Sequence, residues 1–113
     1  MSKRVDKLLI SDIINAIDEI NEFIQGLDFD NFMQDAKTKA AVVRNLEVIG
    51  EAASMVSEEI IYRYPLIEWK EMKSLRNKLI HEYFGIDYSI VWHVINDEIQ
   101  YNYRFLKDID FNF

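Results

Sequence analysis

The chain has 113 residues, half of them hydrophobic, which suits one domain with one core and excludes a disordered acidic tail. It contains no cysteine, so disulfide frameworks, thiol catalysis and zinc–thiolate sites are ruled out. Thirteen Lys and Arg against 20 Asp and Glu give a net charge of −7, which taken over the whole chain argues against nucleic-acid binding. The apolar runs are only a few residues long, too short for a membrane span or a secretory core. A cytoplasmic protein with no membrane association is expected.

One proline and three glycines are few for a protein of strands and turns, and helical periodicity dominates. In the first segment Val5, Leu9, Ile13, Ile17, Ile20 and Ile24 recur every three or four residues. Asp18, Glu19 and Glu22 lie between them as a solvated outer face, and Gly26 is placed to end the helix. Leu27 to Asp35 is acidic and irregular and reads as a connection. Asp35 or Thr38 caps a second helix, whose stripe is Val42, Leu46, Ile49, Ala53, Val56 and Ile60. Tyr64-Pro65 breaks that pattern. A third helix is expected from about Leu66 to Tyr83 on Trp69, Met72, Leu75 and Leu79, ended by Gly85. Asp87 or Ser89 caps a fourth, with Val91, Ile95, Ile99, Tyr103 and Leu106 on one face. The tail from Asp108 to Phe113 is too short for an element. Four helices with short joins predict an all-α fold, an antiparallel four-helix bundle forming one domain over 1–113.

Several chemistries fall away at once. Three scattered glycines make no phosphate loop. The residues three before His81 and His93 are Lys78 and Ile90, so the Glu-x-x-His pairs of a di-iron bundle are absent. No other metal-ligand spacing occurs, and no metal or cofactor is expected. His93 lies toward the polar side of its helix beside Asp97.

The segment Trp69 to Gly85 stands apart. Residues 61–80 carry a net charge of +3, leaving −10 on the rest of the chain, and this basic stretch runs directly into His81. On a continuous helix Lys73, Asn77 and His81 share a face, and Arg76 and Tyr83 nearly eclipse one another. Arg76 falls close to the apolar seam, where an unpaired guanidinium is costly. It either snorkels or pairs with Glu47 or Glu51, or else serves a ligand. His81 is either a capping histidine or a functional one.

The run Arg76-Asn77-Lys78-Leu79-Ile80-His81-Glu82-Tyr83 resembles the Arg-x4-His-x-Tyr motif of HEPN-domain proteins, specifically the HepT-like toxins. VRNLEVIGEAA (43–53) is similar to that family's second-helix signature, and residues 64–92 follow its proline, tryptophan, Arg-Asn, His-x-Tyr-Phe, Asp and Val-Trp pattern. The resemblance implies an all-helical homodimer with a metal-independent endoribonuclease site at the dimer interface. It also implies the toxin of a type VII toxin–antitoxin pair, whose partner is an MntA-type nucleotidyltransferase antitoxin that transfers AMP to the motif tyrosine. Carried over by position, Arg76 and His81 are catalytic and Tyr83 is the modified residue. Asn77 then supports His81, and Lys73 and Lys78 are candidates for binding RNA. The alternative is a non-catalytic helical module that binds nucleotide as a subunit of such a transferase.

Overall fold

A computed structural model describes residues 3–81 and 85–113. Helix α1 (Lys3–Ile24) is followed by α2 (Phe29–Gln34), α3 (Ala36–Met55) and α4 (Glu58–Arg63). Two short helices, α5 (Trp69–Lys73) and α6 (Leu75–Leu79), lead into strands β1 (Ile80–His81) and β2 (Gly85–Ile86). Helix α7 (Tyr88–His93) continues through a wide π-type turn, Val94–Glu98, into α8 (Ile99–Lys107). The protein is mostly helical, as the periodicity predicts.

Burial follows the stripes. Leu9, Ile13, Ile17 and Ile20 of α1 are buried, as is the whole expected stripe from Val42 to Ile60. Trp69, Met72, Leu75 and Leu79 close one side of the core, and Val91, Ile95, Ile99 and Leu106 close another. Helix α3 is the hub, packed against α1 along its length and against α2, α5 and α6 elsewhere. Gly26, just past α1, has φ +79°, a conformation glycine adopts without penalty.

Three expectations change. The acidic stretch after Gly26 contains α2, because Asp28 caps it by accepting from the Asn31 N–H. Its one buried residue, Phe32, packs on Trp92 and Tyr88. The second helix stops before Ile60: Ser57 starts a separate α4 by accepting from the Ile60 N–H. The third helix is broken twice, at Ser74 and after Leu79, so that His81 stands on an extended strand. The Leu79 carbonyl accepts from the Asp87 N–H at 2.9 Å, and Ile80 and His81 pair antiparallel with Ile86 and Gly85.

Two buried polar side chains fix how the helices meet. Asp6, 3% exposed on α1, accepts from both the N–H and the Oγ–H of Ser57 (2.9 and 2.6 Å), locking the start of α4 to α1. Asn102, 1% exposed on α8, accepts from the Glu68 N–H at 2.8 Å and donates to the Glu98 carbonyl. It thus sets the start of α5 against the last helical rod. Tyr103 of α8 donates to Asp18 of α1, which holds its phenol above the ordinary pKa of 10.0. Asp35 caps α3 as expected, accepting from the N–H and Oγ–H of Thr38, and these bonds hold its carboxyl below the ordinary 3.8.

Removing a buried acceptor leaves its donors unsatisfied. Asp6→Ala is therefore expected to lower unfolding free energy by about 1–3 kcal/mol in chemical denaturation. The Asp35 cap has the opposite reach in pH. Its folded-state value is depressed, so its stabilisation is full above 3.8 and fades as pH falls through the lowered value. The stability gap between wild type and Asp35→Ala should accordingly close on acidification below 3.8 in a pH-resolved thermal melt.

Candidate functional site

The site is built on the crossing of α3 with α5 and α6. Gly50 lies buried on α3, and a Cβ there would stand 3.1 Å from the Met72 carbonyl oxygen. A Cβ at that position would require the facing backbone to yield by a few tenths of an ångström. The close approach brings two turns of α3 opposite the short helices, and a cleft of about 330 Å³ opens between them. Glu47, Gly50, Glu51 and Ser54 line one wall, at the spacing that places residues on one helix face. Lys73 and Arg76 line the other.

Arg76 is exposed rather than seated in the seam. It also borders a smaller recess of about 170 Å³ with Val43, Glu47, Leu79, Ile80 and Ile86. Arg76 thus stands where the charged cleft meets the apolar floor below β1. Glu47 and Glu51 face it as the sequence suggests, yet among the described residues no ion pair joins them to Arg76 or Lys73.

The other candidates are placed differently. Helix α6 ends at Leu79, so the shared helical face of Lys73, Asn77 and His81 does not form. The reason is local: the extended backbone of Ile80 (φ −92°, ψ +125°) and its pairing with β2 replace the next helical turn. Gly85, opposite His81, has φ +75°, which suits glycine in that strand. For the same reason Gly85 belongs to the strand pair and does not cap a helix. His81 therefore follows Arg76 across a change from helix to strand. Asn77 is exposed and lines neither the cleft nor the recess. Lys78 is ion-paired with Glu98 of the π-type turn, a partner with no sequence signal because the pairing crosses 20 positions. Tyr83 and its proposed eclipse with Arg76 lie outside the described residues. His93 pairs with Asp97 at 2.9 Å on the surface, as its position predicts.

Among the described residues no group of three or more His, Asp or Glu is arranged to hold a metal ion. None of the described helices is long and apolar enough to cross a membrane.

The profile of the family described as "Ribonuclease HepT-like" matches residues 13–109. A Methanocaldococcus jannaschii protein named "Putative RNase MJ0127" is 39% identical over 109 residues, covering 96% of this chain and 90% of the relative. A Thermococcus cleftensis protein named "Probable ribonuclease HepT" is 41% identical over 97 residues, covering 86% and 88%. A second M. jannaschii protein, "Putative RNase MJ0125", is 42% identical over 99 residues, covering 88% and 85%. No solved structure gives a significant match.

The helix crossing offers a direct structural check. Gly50→Val places methyl groups against the Met72 carbonyl, so overpacking should cost about 1–3 kcal/mol of stability. The cleft should widen with it, detected as faster amide exchange in α5 and α6 than in α1.

Proposed function

We propose, from the premise that the chain belongs to the ribonuclease HepT-like family, that it is a metal-independent endoribonuclease acting as the toxin of a two-component module. The family and the names of its relatives support an RNA-cleaving activity. The observation that carries the assignment to residues is Arg76, exposed at the mouth of a cleft and without an ion-pair partner among the described residues. An exposed guanidinium at that position suits a phosphate, whose oxygens it can grip in bidentate fashion.

RNA cleavage without metal uses the neighbouring 2′-hydroxyl. A base removes its proton, the 2′-oxygen bonds to phosphorus, and the 5′-oxygen leaves with a proton from an acid. Histidine suits both transfers near neutral pH. One His81 cannot be base and acid in the same step. A homodimer of antiparallel four-helix bundles, each one domain of this chain, supplies the second group as His81 of the partner subunit. Arg76 stabilises the charge that develops on the phosphoryl oxygens. Lys73, on the same cleft wall, is proposed to contact the RNA inside the cleft, and Asn77 and Lys78 on the exposed face of α6 are proposed to hold the RNA backbone and orient the site. Lys78 binds RNA only by exchanging its Glu98 partner for a phosphate.

Silencing is proposed to pass through Tyr83, two residues beyond His81. An MntA-type nucleotidyltransferase antitoxin would join its phenolic oxygen to the α-phosphorus of ATP and release pyrophosphate. The added phosphodiester brings bulk and negative charge to the segment that carries His81, which opposes RNA binding.

Replacing Arg76 or His81 by Ala should lower RNA cleavage by about a hundredfold or more while helicity and oligomer mass stay unchanged. Cleavage at the wild-type rate by both variants would refute the assignment. Incubation with an MntA-type nucleotidyltransferase and ATP should add AMP mass that peptide mapping places on Tyr83.

A further inference from the structure

We infer that the mixed-charge cleft between α3 and α5–α6 is a nucleobase subsite selective for guanine in single-stranded RNA. The setting rests on the ribonuclease proposal, though the interaction itself does not require cleavage.

The cleft has two ends. Glu47 and Arg76 also border the recess beneath Ile80 and Ile86, so they form the end next to β1. Glu51 and Ser54 lie one and two turns beyond Glu47 on α3, Lys73 ends α5 three residues before Arg76, and none of the three borders the recess, so they form the other end. Gly50 between the two glutamates leaves the α3 wall without a side chain at its centre. The volume of about 330 Å³ falls in the range of small-ligand clefts. Opposite charges line facing walls, yet among the described residues no ion pair joins them. A phosphate alone does not suit this lining, since two carboxylates would repel it.

Guanine does suit it. Its Watson–Crick edge presents one acceptor, O6, followed by two adjacent donors, N1–H and N2–H. A carboxylate is an acceptor with two oxygens side by side, and a lysine only donates. Glu51 can accept from N1–H and N2–H while Lys73 donates to O6. Adenine and cytosine place an acceptor beside their amino group, and uracil flanks its single N–H with two acceptors. Each of these sets a lone pair against the carboxylate. With Arg76 on the adjacent phosphate, one nucleotide spans the cleft from end to end. Unstacked bases in RNA loops and ends expose this edge for such contacts.

The test uses 2′-O-methyl oligonucleotides, which lack the nucleophilic hydroxyl, with one guanosine or one inosine in an adenosine tract. Inosine lacks only the 2-amino group. Fluorescence anisotropy should show wild type binding the guanosine strand about tenfold more tightly than the inosine strand. Glu51→Gln should bring that ratio close to one, whatever it does to overall affinity. Lys73→Gln should weaken both strands together, because both keep O6. Both positions are exposed on their helices, and circular dichroism verifies that the variants fold. Equal binding of the two strands by wild type, or an unchanged ratio in Glu51→Gln, overturns the inference. Cleavage of RNA without guanine preference would overturn it alone, and guanine preference without cleavage would overturn the ribonuclease proposal alone.

Discussion

The backbone of α3 can meet α5 closely because residue 50 has no side chain, and the rest of the site depends on that contact. With the Met72 carbonyl within 3.1 Å of where a Cβ would stand, the spacing of the two walls is set by backbone atoms. Interiors at native packing density transmit such a constraint with little give. It aligns Glu47 and Glu51 against Lys73 and Arg76. Asn102 holds the other end of the same unit by accepting from the Glu68 N–H at the start of α5. The short helices carrying the basic residues are thus pinned from α3 on one side and α8 on the other.

Much of this was legible in the sequence, and the failures have physical causes. The apolar stripes mark the core because burial decides them, and each of the four sets has its central residues in the core. Helix boundaries were harder. Trp69, Met72, Leu75 and Leu79 keep helical spacing across the break at Ser74, so periodicity alone reports one helix. The end at Leu79 depends on pairing with Ile86 and on the Asp87 N–H, contacts made by residues that follow in the chain. Helix α2 was hidden for another reason. Its acidic residues are an N-cap and a first-turn charge, which look like loop composition when Phe32 is the single buried anchor. Arg76 and its two facing glutamates were visible on the sequence; that they line a cleft without pairing was not.

The charge balance also changes meaning. The basic stretch sums to +3, but its members point to different partners. Arg63 lies by Glu59 and stacks over the Phe113 ring, and Lys78 is bound to Glu98. Lys70 is exposed on α5 outside the cleft lining, which leaves Lys73 and Arg76 as the two cations of the stretch that share the cleft. A chain of net charge −7 can therefore present local positive charge to a phosphate while its remaining surface disfavours indiscriminate binding to nucleic acid. In the proposed nucleobase subsite, the carboxylates across the cleft are the groups that select the ligand.

The chemistry of the cleaved ends tests the central claim most directly. The proposed arginine–histidine site, with the 2′-hydroxyl as nucleophile, must leave a 2′,3′-cyclic phosphate on one fragment and a 5′-hydroxyl on the other. Mass spectrometry of a defined RNA cleaved by the purified protein in excess EDTA should show those ends. Fragments with 3′-hydroxyl and 5′-phosphate ends, or cleavage abolished by EDTA, would contradict the account.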